Sequence, residues 1–434
     1  MNLDHVQPVR WRGLVDRLMA HRSLVVNAAS MLSSTAIGAG LGFVFWWVVA
    51  QSFSKAQVGL ASALISAMAL LGNLGMLGLG TRLMGKLARS EDRSALILTG
   101  LTLATIVSAT LGLGFVGLAP KFSAEFSALR LNLLTGALFV AGVVLTTVSL
   151  VMDQAVIGLL RGGLQLWRNA IFSAAKLLAV IGLGLWVVQR NELSIYAAWV
   201  FGNLLSLLGM AGLAYRDGLR VRQWRVRWDL LRDLPKEAIR HHLLNMALQS
   251  TGLAFPVLVT LLLSAEANGV FAIASLLAGF VSTIPFALSM ALYAVGATGK
   301  EAFGPKLMLS LRLSLLLGLL ANLCIWPLAD VLMLIFGRGY GAEAAWVLRL
   351  LSLGVFPIIV KDHYIAIRRV GNRVGATIVL AAIGGLLELG GIVVGAHFGG
   401  LYGLCLGWLG GFMLEATLMG RGLLRVVRAI KASS

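Results

Sequence analysis

Long apolar runs, separated by short polar links, cover almost the whole chain. Most runs extend over about 20 residues or more, the length that an α-helix needs to cross the hydrocarbon layer of a bilayer. The pattern predicts an all-α integral membrane protein with about twelve transmembrane helices in two six-helix bundles. The predicted spans are residues 23–51, 57–81, 94–119, 131–153, 169–189, 194–215, 241–263, 269–296, 307–335, 342–367, 374–396 and 399–420.

Basic residues fall predominantly on one side of these spans. With the N-terminus in the cytoplasm, 29 of the 36 lysines and arginines lie on the cytoplasmic side, six lie outside, and Lys176 lies within a span. The cytoplasmic set includes Arg168 and Lys361. Cytoplasmic loops of membrane proteins carry such an excess of positive charge. We therefore predict that both termini are cytoplasmic and that the protein lies in the cytoplasmic (inner) membrane.

A basic polar stretch near the middle of the chain separates two halves of similar length. Many transporters are built from such repeated halves. The predicted organisation is an amphipathic cytoplasmic segment at 1–22, an N-lobe at 23–215, a basic cytoplasmic linker at 216–240, a C-lobe at 241–420 and a basic cytoplasmic tail at 421–434. A short internal repeat supports this division, because Ser54 and Gly59 precede the second span at the same spacing as Ser264 and Gly269 before the eighth.

Glycine recurs every four residues in the last two predicted spans. Small residues at that spacing let two helices approach closely. We interpret the pattern as tight packing of these spans, with a surface that slides during transport as the alternative. The residues are Gly391, Gly395, Gly399, Gly403, Gly407 and Gly411.

The composition excludes an ordinary soluble protein. Hydrophobic residues make up 59% of the chain, charged residues only 12%, and the mean hydropathy is +0.89. The net charge of +18 indicates contact with anionic membrane lipids rather than nucleic acid, since no nucleic-acid recognition motif is present. Cys324 and Cys405 lie in apolar runs without metal-ligand spacing. No catalytic motif, cofactor motif or metal site is recognisable, so we do not expect an enzyme.

Ionisable residues inside spans are costly and point to function. Lys176 lies about two turns into the fifth span, and Arg349 lies at a similar depth in the tenth. Either could attract a phosphate in a central cavity. An ion pair between Lys176 and Asp153 is the alternative. Arg82 closes the second span and could extend a cationic lining, although snorkelling to the membrane surface is favoured for it.

Acidic and polar residues in other spans suggest further roles. Glu388 and Glu415 in the last two spans, together with Asp153, could bind a coupling proton or Na⁺, or could form hydrogen bonds between helices. Polar residues at helical spacing mark the first span of each half. They line a shared cavity or join helices to one another. These residues are Asn27 and Ser30 in the first span and Asn245 and Gln249 in the seventh.

Several short segments resemble the polysaccharide-export branch of the multidrug/oligosaccharidyl-lipid/polysaccharide (MOP) superfamily, the Wzx-like O-antigen flippases. The likeness covers nearly the whole chain. The segments are NAASML at 27–32, FSKAQVGLA at 53–61, FGRGY at 336–340, LRLLS at 348–352 and RRVGNR at 368–373.

This resemblance implies two six-helix bundles around a central cavity with alternating access. It implies as substrate an oligosaccharide on undecaprenyl pyrophosphate, moved from the cytoplasmic to the periplasmic leaflet. The cationic cavity of such flippases is thought to hold the pyrophosphate, and Lys176 and Arg349 are the candidates here by character and depth. Polysaccharide polymerase or chain-length machinery would be further partners, and no cofactor is expected.

Two other functions are compatible with the pattern. A proton- or Na⁺-coupled drug exporter of the MATE type would need acidic pocket residues. The first two spans carry none, and Asp153 is the sole acid within the N-lobe spans. A membrane-embedded glycan ligase or polymerase would need a large outer loop, and no predicted outer loop exceeds roughly a dozen residues.

Overall fold

The computed structural model describes residues 22–433 apart from 88–89, 91, 131–132, 187–190, 219–224, 232–235, 299–302, 338 and 372–373. The amphipathic segment predicted at 1–22 therefore lies almost wholly outside the described residues. Thirteen α-helices form within the described part. They are α1 (Arg22–Ser52), α2 (Lys55–Gly75), α3 (Leu79–Lys86), α4 (Arg93–Phe122), α5 (Leu133–Gly158), α6 (Gly162–Trp186), α7 (Glu192–Arg216), α8 (Lys236–Leu262), α9 (Ala265–Thr298), α10 (Phe303–Leu334), α11 (Gly341–Ser352), α12 (Val355–Val370) and α13 (Val374–Ser433).

Among the described residues, ten helical segments are long and apolar enough to cross a membrane. One of them, Gly375–Ile430, is interrupted by non-helical backbone at Gly399 and Gly400 and supplies two spans. A shorter apolar helix, Ile37–Ser52, is the described part of the first span. The all-helical prediction is confirmed. Most helices begin and end within a few residues of the predicted spans, but α6 begins at Gly162, ahead of the predicted 169, and α13 continues to Ser433, beyond the predicted 420.

Two predicted spans are each divided into two helices. The second span becomes α2 and α3, joined through Leu77 and Gly78, whose φ angles of 47° and 75° are left-handed. The tenth span becomes α11 and α12, with a bend at Leu353 and Gly354. A side chain at position 354 would collide with the Trp408 ring, so glycine lets α11 and α12 bend against α13.

Each half of the chain packs mainly on itself. In the first half, α6 packs against α1 and α7, and α5 packs against α4. In the second half, α13 packs against α8 and α12. The helix that joins the halves is α2, which packs against both α8 and α9.

The glycine repeat of the last two spans packs as a seam between the two halves of α13, residues 374–398 and 401–433. A Cβ at Gly391 would overlap the carbonyl of Gly407, and a Cβ at Gly395 would overlap the carbonyl of Gly403. The backbones can therefore touch only because side chains are absent there. This agrees with the tight-packing interpretation.

Candidate functional site

Lys176 of α6 lies in a cage of aromatic rings inside the N-lobe. Its ammonium is 3.7 Å from the centre of the Trp199 ring, 4.6 Å from that of Phe172 and 5.0 Å from that of Phe45. The residue is 4% exposed. No acidic side chain among the described residues pairs with it. Cation–π contacts of this kind contribute up to about 2 kcal/mol when desolvated, and they leave the positive charge without a counter-anion.

The alternative pairing of Lys176 with Asp153 is wrong. Asp153 of α5 instead receives two hydrogen bonds from Arg168 of α6, at 2.6 and 2.7 Å. Both residues are buried. Arg168 was assigned to the cytoplasmic side from the sequence, but α6 begins at Gly162 and so carries it into the lobe. Burial and a bidentate geometry make this a strong, charge-neutral pair.

Arg349 does not extend a cationic lining around Lys176. Arg349 of α11 pairs with Asp330 and donates a 2.9 Å hydrogen bond to the carbonyl of Trp326, both in α10. Lys176 and Arg349 thus lie in different halves, in separate sets of contacts. Arg82 is 4% exposed in α3, so the expectation that it snorkels is wrong.

The predicted polar stripes are only partly brought into contact. The side chains of Asn27 and Ser30 lie outside the described residues. In α8, Asn245 accepts a hydrogen bond of 3.3 Å from Arg369 of α12, whereas Gln249 is exposed. Asn245 therefore joins two helices of the C-lobe. This agrees with the alternative that these polar residues form hydrogen bonds between helices.

The C-lobe contains a buried cluster of three charged residues. The Lys361 ammonium of α12 lies 2.8 Å from Glu415 Oε2 and 3.3 Å from Glu388 Oε1, in the two halves of α13. The indole N–H of Trp408 donates a 2.9 Å hydrogen bond to the second oxygen of Glu388. We name these residues, with Trp408, the C-lobe cluster.

Both glutamates of this cluster are among the residues predicted from the sequence, but the prediction that Lys361 lies on the cytoplasmic side is wrong. That assignment followed from its proximity to Arg368 and Arg369. Two features of the sequence indicate the buried position of Lys361. It lies inside an apolar run, six residues after Val355, and two intramembrane glutamates need a basic partner. In the structure Lys361 is 8% exposed.

One end of the molecule is closed by a crossing of α2 and α9. A Cβ at Gly59 would overlap the carbonyl of Ala265, and a Cβ at Gly269 would overlap that of Lys55. Asn268 donates a 2.7 Å hydrogen bond to the carbonyl of Gly59. The repeated serine–glycine spacing therefore places one close-approach glycine in each helix, near its N-terminus.

Further polar contacts join the two halves at this same end. Trp47 and Gln51, in the last turns of α1, both donate to the carbonyl of Ile335 at 2.9 Å. The Lys55 ammonium lies 3.5 Å from Glu266, and Glu125 accepts a hydrogen bond from the backbone of Ala265. We name this end, with the α2/α9 crossing, the closed end.

The two halves differ in the sign of the excess charge that they bury. The N-lobe buries an ammonium that has no acidic partner among the described residues, and it also holds the neutral pair of Asp153 and Arg168. The C-lobe cluster holds two carboxyl groups against one ammonium. Among the described residues, no group of three or more histidine, cysteine or acidic side chains is arranged to hold a metal ion. The N-lobe can therefore attract an anion, and the C-lobe cluster can take up a cation.

Comparison with known proteins gives a fold but no sequence family. No family model matches the chain, and no curated protein matches it. Solved structures match over nearly its whole length. An inward-facing multidrug resistance MATE family transporter of the MOP superfamily is similar with a TM-score of 0.71 and 14% identity, covering 93% of this chain and 99% of that one.

Two further structures show the same architecture. A MATE structure in complex with MaD3S has a TM-score of 0.61 at 13% identity, covering 94% of this chain and 96% of that one. An outward-facing MATE family transporter of the MOP superfamily has a TM-score of 0.59 at 15% identity, with the same coverage. The chain therefore has the fold of MATE transporters.

Proposed function

We propose that this protein is a membrane transporter, not an enzyme. It moves an oligosaccharide on undecaprenyl pyrophosphate from the cytoplasmic to the outer leaflet of the cytoplasmic membrane by alternating access. The observation that carries the proposal is the buried Lys176 ammonium, which has no acidic partner among the described residues. A charge in that position is costly unless it is neutralised. The pyrophosphate of a lipid-linked substrate would supply the missing negative charge.

The charges of the N-lobe argue against a cationic substrate. Asp153, the one acid within the N-lobe spans predicted from the sequence, already makes a bidentate ion pair with Arg168. A cationic drug would have to break this pair while it faced the like charge of Lys176. Like charges close together in a low dielectric repel strongly, so the N-lobe favours an anionic headgroup.

The closed end fits one step of an alternating-access cycle. If the basic loops are cytoplasmic, the α2/α9 crossing lies on the outer side, and the cavity opens inward. The similar structure with a TM-score of 0.71 is an inward-facing one, which agrees with this assignment. A headgroup made in the cytoplasm would then approach Lys176 from the open side.

The linker between the lobes supports anionic membrane lipids as one of the proposed partners. Trp228, in the linker, is 51% exposed, and its neighbour Arg227 is held by Asp92 and Asp229. A tryptophan beside basic residues suits the headgroup region of an anionic membrane. Polysaccharide polymerase or chain-length machinery would receive the transported unit on the other side.

The test is the sidedness of lipid-linked oligosaccharide in cells depleted of the protein. We expect the intermediate to accumulate on the cytoplasmic leaflet and to clear when the wild-type protein is restored. Lys176→Glu should fail to clear it while inserting normally. Lys121→Gln, which removes an exposed cation at the end of α4, is the matched control and should restore export. Unchanged export in depleted cells would refute the flippase.

A second candidate is a cation-coupled drug exporter, favoured by the multidrug transporters among the similar structures. The same depleted cells distinguish it. Normal glycan export with increased sensitivity to cationic dyes would support the exporter and reject the flippase.

A further inference from the structure

The C-lobe cluster contains one more acidic group than basic groups. Glu388 and Glu415 both contact Lys361, and both are buried, at 4% and 0% exposure. If both carboxyl groups were ionised, the cluster would carry a net charge of −1 within the span region. An uncompensated buried charge of this kind is removed by binding a proton or another cation.

The contacts distinguish the two glutamates. Both oxygens of Glu388 have donors, Lys361 on one side and Trp408 on the other. In Glu415, Oε2 accepts from Lys361, but Oε1 is buried without a hydrogen-bond donor. Glu415 has one oxygen that accepts no hydrogen bond, so it is the carboxyl group that a bound proton stabilises most. The Glu388 carboxyl lies within hydrogen-bonding reach as an acceptor for that proton.

The surroundings leave little space for a metal ion. The Lys361 ammonium already occupies the point between the two carboxyl groups, and it also lies 4.9 Å from the Phe412 ring. Gly384 is in contact with the Glu415 carboxyl, because a Cβ there would overlap it. On the α8 side, Thr251 faces Gly385 at this level. Among the described residues, Lys361 and Glu388 are the charged groups that act on Glu415.

We infer that the C-lobe cluster is a proton-binding site that holds one exchangeable proton on Glu415, with Lys361 as a built-in counter-cation in the place of a metal ion. Proton uptake converts the Glu415 carboxylate to the acid and brings the cluster from −1 to neutral. Release leaves two carboxylates against one ammonium and weakens the contact between the two halves of α13. The site needs no substrate and stands whichever transport proposal is correct.

The experiment is infrared spectroscopy of the purified full-length protein in lipid nanodiscs, titrated over pH without substrate. A protonated carboxyl group has a C=O stretch apart from the amide bands. The wild-type protein should show a carboxyl band that disappears as pH rises. Glu415→Gln and Glu388→Gln should each remove the component of this band that belongs to the cluster, because the remaining carboxylate then balances Lys361. Any component that persists in both variants belongs to other carboxyl groups, such as Asp362, which also interacts with Lys361. Lys361→Gln should increase it, because both glutamates then take up protons.

Glu343→Gln, which removes an exposed acid of α11, is the control and should leave the band unchanged. Absence of a titrating band in the wild-type protein would overturn the inference without any variant. A titrating band that is unchanged from the wild type in Glu415→Gln, in correctly folded protein judged by size-exclusion chromatography, would also overturn it. Loss of the wild-type band on addition of Na⁺ would identify an alkali-cation site instead.

Discussion

Asn268 of α9 donates a hydrogen bond to the carbonyl of Gly59 in α2, at the point where these two helices lie backbone to backbone. The two helices occupy equivalent positions in the two halves of the chain. Their contact closes one end of the molecule and places no side chain between the backbones. In the proposed alternating-access cycle, closing of that end therefore depends on glycine at positions 59 and 269.

We expect Gly269→Ala to hold the closed end open, because the added methyl group would overlap the Lys55 carbonyl. The measurement is labelling of Val58→Cys by a membrane-impermeant maleimide, in a chain in which Cys324 and Cys405 are replaced by serine. Val58 is fully buried in the closed end, so labelling should increase strongly. Gly279→Ala is the control, since a Cβ there meets no atom within 4 Å. Equal labelling in both variants would contradict the role of Gly269.

Glycines line the contact between the two halves of α13. We expect a larger residue there to lower the stability of the protein rather than to change its conformational state. Gly407→Ala should destabilise the protein by about 1–3 kcal/mol, since its methyl group would overlap the Gly391 carbonyl in a packed interface. Gly410→Ala, in the same helix but facing open space, should be neutral or stabilising by about 0.5–1 kcal/mol. Thermal unfolding in detergent compares the two. A sliding surface would instead show unchanged unfolding with reduced transport in Gly407→Ala.

The buried pair of Asp153 and Arg168 predicts a non-additive pair of substitutions. Asp153→Leu alone should destabilise the protein by about 3–5 kcal/mol, because it leaves the Arg168 guanidinium buried and unpaired. Adding Arg168→Met should recover most of that loss, since well-packed apolar residues often replace buried ion pairs at little cost. Unfolding temperatures of the single and double variants provide the comparison. An equal loss of stability in the single and double variants would mean that packing, and not charge, determines the effect of these substitutions.

The orientation of the chain remains a prediction from its basic loops. Reporter fusions after residue 225 and after residue 433 should both report a cytoplasmic location. An external signal at either fusion would reverse the sidedness of the closed end, and with it the inward-open assignment.

The helices could be predicted almost completely from the sequence, whereas the charge pairs could not. Lipid satisfies no backbone hydrogen bond, so every apolar run of sufficient length must be helical. The partner of each buried charged side chain depends on how the helices are rotated and on residues that are far apart in the chain. Asp153 therefore pairs with Arg168 and not with Lys176, and Lys361 pairs with Glu388 and Glu415 although it was counted with the loops.

The repeated serine–glycine spacing, like the glycine repeat of the last two spans, marks helices that lie against each other. Ser54 caps α2 by accepting a hydrogen bond from the backbone of Gln57, and Ser264 accepts one from the backbone of Ala267 before α9. Helix caps favour serine for this reason. The two capped helices then meet through their glycines, so a local pattern in each half encoded a contact between them.

Lys176 should lower the stability of the protein in return for binding an anion. Its ammonium is buried among Phe45, Phe172 and Trp199, and no acidic side chain in the described part of the chain pairs with it. Lys176→Met keeps the length and apolar packing of the side chain and removes the charge. We therefore expect this variant to unfold at a higher temperature than the wild-type protein and to lose transport.

Anion binding provides the complementary measurement. Addition of a short-chain polyprenyl pyrophosphate should raise the unfolding temperature of the wild-type protein, because a ligand that binds only the folded state stabilises it by mass action. The increase should be absent in Lys176→Met and present in Lys121→Gln. An equal increase in Lys176→Met would move the anion site away from the aromatic cage. A loss of stability in that variant would show that the cation–π contacts outweigh the cost of burying the charge.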